Sequence, residues 1–154
     1  MSYCKEHPTW IYVRYTTNDV QSALRRQADL FEEAGSHGFL VRGTSFDKCG
    51  GNSLKDRDGL RSMLDAVKAG RVESVMIRDL DQISRNSYLL VGVIEIFRQH
   101  DIYLITTECD LNEELARVGL LCGGPLYTSL IRATEIRCQL TICGQIMRCN
   151  DERI

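Results

Sequence analysis

The sequence lacks an apolar run long enough to cross a membrane, and no secretory hydrophobic region follows its start. We therefore expect no membrane association and a cytoplasmic location. The sequence also lacks any C-x-x-C pair, although it contains seven cysteines. We interpret these cysteines as free thiols and predict no metal. A zinc site near the C-terminus is the less favoured alternative, because the cysteine spacing does not fit a zinc ribbon.

An excess of positive charge is also missing. The net charge is −2 at pH 7, whereas a stand-alone DNA-binding domain is usually basic. This balance argues against tight DNA binding by the chain alone, although it allows a local basic cluster. The sequence contains neither a G-x-G-x-x-G fingerprint nor a P-loop. That absence disfavours a small α/β module that binds a phosphorylated ligand, which we keep as a minor alternative.

The chain does contain enough apolar sequence for one domain with a core. It has 154 residues, of which 44% are hydrophobic and 26% are charged, as is ordinary for a globular protein. Strand-like and helix-like segments alternate, which predicts an α/β fold with a mostly parallel sheet and helices on both faces. The predicted strands are 10–15, 39–46, 72–77 and 102–106, and the predicted helices are 20–35, 56–69, 87–100 and 112–121.

The last part of the chain has a different pattern. Residues 126–147 are predicted to form one long helix whose apolar residues occupy most of its circumference. Such a helix needs burial on several sides, either against its own sheet or against a partner subunit. We therefore divide the chain into a leader over 1–9, an α/β domain over 10–110 and a C-terminal helical segment over 111–154.

Polar side chains gather at or just after the predicted strand ends, where open α/β sheets bind ligands. Arginine is permanently charged and donates paired hydrogen bonds to phosphate oxygens. A hydroxyl in that field can act as a nucleophile, and carboxylates can move protons or orient the arginines. Taken singly, such residues are more often surface ion-pair partners, turn residues or caps than site residues. Together they predict a phosphate site; the residues are Arg14, Thr16, Asp47, Arg57, Asp81 and Arg85.

The order of these residues resembles the catalytic core of the serine recombinases, the resolvase and invertase family. The family motifs are Y-x-R-x-S-T, a glutamine on the first helix, D-x-x-S-G, R-x-G-L and L-D-R-x-x-R. The corresponding segments here are YVRYTT over 12–17, Gln27, DKCGG over 47–51, RDGL over 57–60 and LDQISR over 80–85. The resemblance covers about residues 10–108 and continues weakly into the predicted last helix.

The resemblance implies a mechanism and partners. In this family a serine attacks a DNA phosphodiester and forms a 5′-phosphoserine link, and subunits of a tetramer exchange strands by rotation without a metal or nucleotide cofactor. The implied partners are DNA and further copies of the chain, which form a dimer or tetramer through the last helix. The matching site positions are Arg14, Gln27, Asp47, Arg57, Asp81 and Arg85.

Three site positions depart from the family. Thr16 stands at the position of the nucleophilic serine, Gly50 at that of the loop serine, and Gln82 at that of the first arginine of D-R-x-x-R. Threonine has a stiff χ1, and a misplacement of about 1 Å costs about 100-fold in rate. Loss of one preorganised charge costs about 100- to 1000-fold. We therefore expect weakened or degenerate DNA strand cleavage and exchange. The main alternative is a non-catalytic paralogue that regulates an active partner by co-assembly.

Overall fold

The computed structural model describes residues 7–15, 20–48, 54–108, 111–117 and 127–129. In these ranges five strands form one sheet in the order β2-β1-β3-β4-β5, and every neighbouring pair is parallel. The strands are β1 His7–Tyr15, β2 Phe39–Lys48, β3 Ser74–Ile77, β4 Tyr103–Thr106 and β5 Tyr127–Ser129. The helices are α1 Val20–Ser36, α2 Asp58–Lys68, α3 Ser87–Gln99 and α4 Leu111–Arg117, with 3₁₀ turns at Leu54–Asp56 and Leu80–Gln82.

Helices cover both faces of the sheet, as the alternation of elements predicts. On one face, α1 packs on Ile11 and Val13 of β1 through Leu30 and Ala34. On the other face, α2, α3 and α4 share a larger core with Tyr12 and with side chains of β3 and β4. All four residues of β3 are buried, which explains the apolar run 75–77 that follows Ser74.

The strand order reverses between β1 and β3. From β1 the chain runs to β2 on one side, and then crosses to β3, β4 and β5 on the other. Open α/β sheets bind their ligands at this kind of switch point, outside the carboxyl ends of the strands. The end of β1 and the Leu80–Gln82 turn after β3 therefore mark the expected location of a site.

The helix boundaries follow from local chemistry. Asn86 caps α3, because its Oδ1 accepts hydrogen bonds from the backbone N–H groups of Tyr88 (2.9 Å) and Leu89 (3.3 Å). The apolar stripe of α2 has spacings of three and four residues, and the helix ends before Gly70, whose φ is +72°. Among the described residues, none of the helices is long and apolar enough to cross a membrane.

The first two strands are longer than the sequence predicted. His7 to Thr9, which we assigned to the leader, belong to β1 and pair with the start of β2. Pro8 lacks an N–H, but it lies near the start of the strand, where proline is tolerated, and its carbonyl accepts a hydrogen bond from the Glu73 N–H at 2.9 Å. At the other end, β2 continues through Asp47 to Lys48.

The prediction of one long helix over 126–147 is wrong at Tyr127–Ser129. These residues form β5, which pairs with Leu104–Thr106 of β4. Tyrosine and threonine favour strands, and the edge of β4 offers N–H and C=O groups to pair with, which outweighs a helical pattern counted over a long window. The rest of that prediction, at 126 and over 130–147, lies outside the described residues, as does 118–121 of the preceding predicted helix.

We expect opposite effects from alanine at two glycines. A Cβ at Gly43 would lie 2.3 Å from Cζ3 of Trp10, whose indole N–H donates to Ser45 Oγ at 2.9 Å. The ring must therefore move, and Gly43→Ala should destabilise the fold by about 1–3 kcal/mol. A Cβ at Gly92, on α3, meets nothing within 4 Å, so Gly92→Ala should stabilise by about 0.5–1 kcal/mol. Urea denaturation measures both; equal midpoints for the two variants would contradict the packing at Trp10.

Candidate functional site

The carboxyl end of β1 is tied to the turn that follows β3. The backbone N–H of Arg14 donates to Oε1 of Gln82 at 2.8 Å, which joins two motifs that lie 68 residues apart in sequence. Gln82 is buried, with 5% of its surface exposed. This hydrogen bond therefore joins the YVRYTT motif to the LDQISR motif at the switch point of the sheet.

A buried polar cluster lies behind this connection and consists of Tyr12, Asp47 and Arg57. The Tyr12 hydroxyl donates to Asp47 Oδ2 at 2.6 Å. Arg57 donates from Nη2 to the Tyr12 hydroxyl at 2.5 Å and from Nε to Asp47 Oδ2 at 3.3 Å. Tyr12 and Arg57 have no exposed surface, and Asp47 is 6% exposed. We call these three residues the buried cluster.

Asp47 also caps α2 from a neighbouring strand. Arg57 occupies the N-cap position but makes no capping hydrogen bond with its side chain. Instead, Asp47 accepts hydrogen bonds from the N–H groups of Gly59 (2.7 Å, Oδ1) and Leu60 (2.9 Å, Oδ2). A carboxylate at a helix N-terminus is favoured by the helix dipole. With Tyr12 and Arg57, Asp47 has four donors, which is about the full capacity of a carboxylate. Its role in this structure is therefore to hold the fold together.

Gly59 is part of the same arrangement. A Cβ at this position would lie 2.5 Å from the carbonyl oxygen of Phe46 and 3.0 Å from Asp47 Oδ1. Only glycine lets α2 approach β2 closely enough for the cap to form. We did not assign Gly59 or Tyr12 to the site from the sequence, although both lie within quoted motifs. The available signal was a polar hydroxyl in the otherwise apolar run of β1.

Arg57 links the buried cluster to the Leu80–Gln82 turn. Its Nη2 donates to the backbone carbonyl of Gln82 at 3.0 Å. Its Nη1 is buried and has no hydrogen-bond partner among the residues that the structure describes. Arg57 is fully covered, so this nitrogen is not accessible to a ligand from solvent.

The Tyr12 hydroxyl is held in its protonated form. Burial raises its pKa above the usual value for tyrosine, and the hydrogen bond to Asp47 raises this pKa further, against an opposing effect of Arg57. Tyr12 therefore acts as a hydrogen-bond donor to the carboxylate at neutral pH.

Asp81 and Arg85 are on the surface, unlike the buried cluster. Arg85 Nε lies 3.7 Å from Asp81 Oδ2, and their side chains are 84% and 51% exposed. Both follow β3, on the same connection as Gln82. Of the arginines predicted for the site, Arg85 is the one whose guanidinium is open to solvent, while Arg14 is half-buried.

Gln27 is not brought to the buried cluster. Its Nε2 donates to Thr44 Oγ1 at 2.7 Å. Thr44 is in register with Ile11, whose side chain packs under α1, so this bond is on the opposite face from Tyr12. Thr16 and Gly50 lie outside the described residues. Within the ranges that are described, no group of three or more His, Cys, Asp or Glu residues could hold a metal ion.

Comparisons with known proteins agree on one family and one fold. The sequence profile described as "Resolvase, N terminal domain" matches residues 9–120. The structure is similar to a resolvase family site-specific recombinase from Streptococcus pneumoniae, with a TM-score of 0.59 at 16% identity, over 96% of this chain and 99% of that one. Among curated protein sequences, none matches.

Two catalytic domains are similar over a shorter part of the chain. The C-terminal catalytic domain of ISC1926 TnpA, an IS607-like serine recombinase, has a TM-score of 0.58 at 21% identity over 64% of this chain and 69% of that one. The N-terminal catalytic domain of TP901-1 integrase has a TM-score of 0.57 at 20% identity over 64% and 75%. At these identities the likeness shows a shared fold.

The two motif carboxylates should differ sharply in their effect on stability. Asp47→Ala leaves the Arg57 guanidinium buried without its counter-charge, so we expect a loss of about 3–5 kcal/mol in the free energy of unfolding. Asp81→Ala removes only an exposed ion pair and should change stability by less than about 1 kcal/mol. Chemical denaturation followed by circular dichroism measures both. Similar losses of unfolding free energy in the two variants would contradict the role of Asp47 in holding the fold together.

The buried Tyr12 hydroxyl should make the fold sensitive to alkali. An unfolded tyrosine loses its proton at a pKa of about 10, whereas the folded pKa of Tyr12 is raised. Above about pH 10 the unfolded state therefore binds fewer protons than the folded state, and the free energy of unfolding falls as pH rises. In Tyr12→Phe this decline should be shallower. Tyr88→Phe, which alters a side chain that is 91% exposed, is the matched control; parallel curves for wild type and Tyr12→Phe would refute the assignment.

Proposed function

The chain belongs to the resolvase family of serine recombinases, and on that premise we propose that it acts on DNA in site-specific recombination. In this proposal it is a DNA strand transferase with weakened chemistry, in which Thr16 is the nucleophile. The observation that carries the proposal is the hydrogen bond between Arg14 and Gln82. It holds the strand that leads to Thr16 against the turn that carries Asp81 and leads to Arg85, so residues from two motifs meet at the switch point of the sheet.

The proposed reaction is an in-line attack on a DNA phosphodiester. The Thr16 hydroxyl oxygen forms a bond to phosphorus, and the bond from phosphorus to the 3′-oxygen of the neighbouring nucleotide breaks. The proton lost by the hydroxyl is balanced by the proton gained by the released 3′-oxygen. Resealing is the reverse reaction with a different 3′-hydroxyl, so no oxidant, metal or nucleotide is consumed.

Cations beside the phosphate are supplied by arginines in different environments. Arg85 is exposed and paired with Asp81 at a long distance of 3.7 Å, an interaction that costs little to exchange for a phosphate. Arg14 is half-buried at the end of β1. We propose that both contact DNA phosphate, with Asp81 orienting Arg85, while buried Arg57 and Asp47 keep the end of β1 in place.

The weakening has two physical sources. A threonine at position 16 adds a methyl group to the attacking carbon and stiffens χ1. Gln82 carries no charge, and its side chain is buried as an acceptor for Arg14, so it contributes no cation to the phosphate. Loss of one preorganised stabilising charge costs about 100- to 1000-fold.

A second candidate function is co-assembly with an active relative, without chemistry of its own. It is favoured by exposed apolar side chains on α1: Val20 is 52%, Leu24 50% and Phe31 41% exposed. Their spacing of four and seven residues puts them on one side of the helix. An uncovered apolar side of this kind suits contact with another subunit, and we propose self-association as a dimer or tetramer in either case.

Covalent trapping tests the main proposal. The protein is mixed with DNA fragments from the flanks of its own gene, stopped with detergent and separated on a denaturing gel. We expect an adduct with wild type, none with Thr16→Ala, and an unchanged amount with Ser62→Ala, which removes an exposed hydroxyl on α2. Thr16→Ser should form the adduct about 100-fold faster, since it removes the methyl group and frees χ1 for alignment of the attacking oxygen.

The other outcomes separate the candidates. An adduct with Thr16→Ser but not with wild type would replace the catalytic proposal by the co-assembly function. An adduct that persists in Thr16→Ala would refute Thr16 as the nucleophile.

A further inference from the structure

Gln82 connects three parts of the site. Its side-chain Oε1 accepts the hydrogen bond from the Arg14 N–H at 2.8 Å. Its backbone carbonyl accepts from Arg57 Nη2 at 3.0 Å. The residue is only 5% exposed, so both bonds lie away from bulk water. The end of β1, the start of α2 and the turn after β3 thus meet at one residue.

From this geometry we propose that Gln82 is a positioning residue that holds the end of β1 for the reaction at Thr16. The inference rests on the proposed function. It gives a role to Gln82, which from the sequence alone counted only as the loss of a family arginine. Thr16 follows Arg14 by two residues, so fixing the Arg14 backbone restricts where the Thr16 hydroxyl can be. A displacement of about 1 Å at an attacking group costs about 100-fold in rate.

The role requires an acceptor, and this determines which residues can perform it. Glutamine has a carbonyl oxygen, whereas arginine has five donors and no acceptor. An arginine at position 82 would leave the Arg14 N–H without its partner and would bring a second guanidinium close to buried Arg57. The change that restores the family's D-R-x-x-R pattern should therefore slow this chain. The position of the end of β1 in this chain therefore depends on having glutamine, and not arginine, at position 82.

Three substitutions at position 82 distinguish the effect of losing the acceptor oxygen from the effects of side-chain charge and size. Gln82→Glu keeps an acceptor oxygen, Gln82→Met keeps the length without an acceptor, and Gln82→Arg replaces the acceptor by donors. The first readout needs no DNA: hydrogen exchange of the Arg14 amide, followed by NMR. We expect exchange about tenfold faster in Gln82→Met and Gln82→Arg, with protection retained in Gln82→Glu.

The second readout is single-turnover cleavage alongside the DNA dissociation constant. Loss of positioning should reduce the cleavage rate of Gln82→Met by about 100-fold with little change in the dissociation constant, and Gln82→Glu should recover most of that loss. A purely structural role would instead lower the melting temperature and leave the cleavage rate of the folded fraction unchanged. Melting curves identify the fraction that is folded.

Each outcome decides the proposal. Faster cleavage by Gln82→Arg than by wild type would overturn it, as would unchanged Arg14 exchange in Gln82→Met. If neither wild type nor Thr16→Ser cleaves DNA, the proposed function fails, while the Arg14 exchange rates still decide whether Gln82 holds the end of β1.

Discussion

The structure depends on one carboxylate that receives four hydrogen bonds. Asp47 accepts from a tyrosine, an arginine and two backbone amides, which lie on β1, at the start of α2 and within its first turn. Taking an ion pair out of water is costly, and such a pair persists only when its remaining donors and acceptors are satisfied. Asp47 meets that condition through its four donors, whereas Arg57 Nη1 has no partner among the described residues. The four hydrogen bonds hold β1, β2 and the start of α2 together at this carboxylate.

This constraint divides the motif residues into two groups. Asp47, Arg57 and Gln82 are buried and bond to one another or to backbone groups. Asp81 and Arg85 are exposed. Residues of one motif therefore have different roles. The buried ones hold the strand ends in place, and the exposed ones are accessible to a ligand. The departure at position 82 falls in the first group, and for that reason its effect cannot be counted simply as one missing charge.

The sequence predicted the sheet well because its signals are local. Strand and helix periods and the end of α2 before Gly70 each involve a few neighbouring residues. Burial of Arg57 was not predictable, because arginine is usually exposed and the groups that compensate its charge lie on other elements. Gln27 was assigned to the site by its place in the motif order, yet its bond to Thr44 is on the other face. The strand at Tyr127–Ser129 depends on an edge that exists only once β4 has formed.

The buried cluster also has a consequence for how the chain assembles during synthesis. Its three side chains and the two amides that complete it all lie between Tyr12 and Leu60. They are therefore made before β3 and everything that follows. We expect that β1, β2 and α2 can associate while the later strands are still unsynthesised, because all four hydrogen bonds to Asp47 come from residues already made. One edge of β1 then stays open until β3 is made, and the hydrogen bonds at Gln82 join these elements to the turn that follows β3.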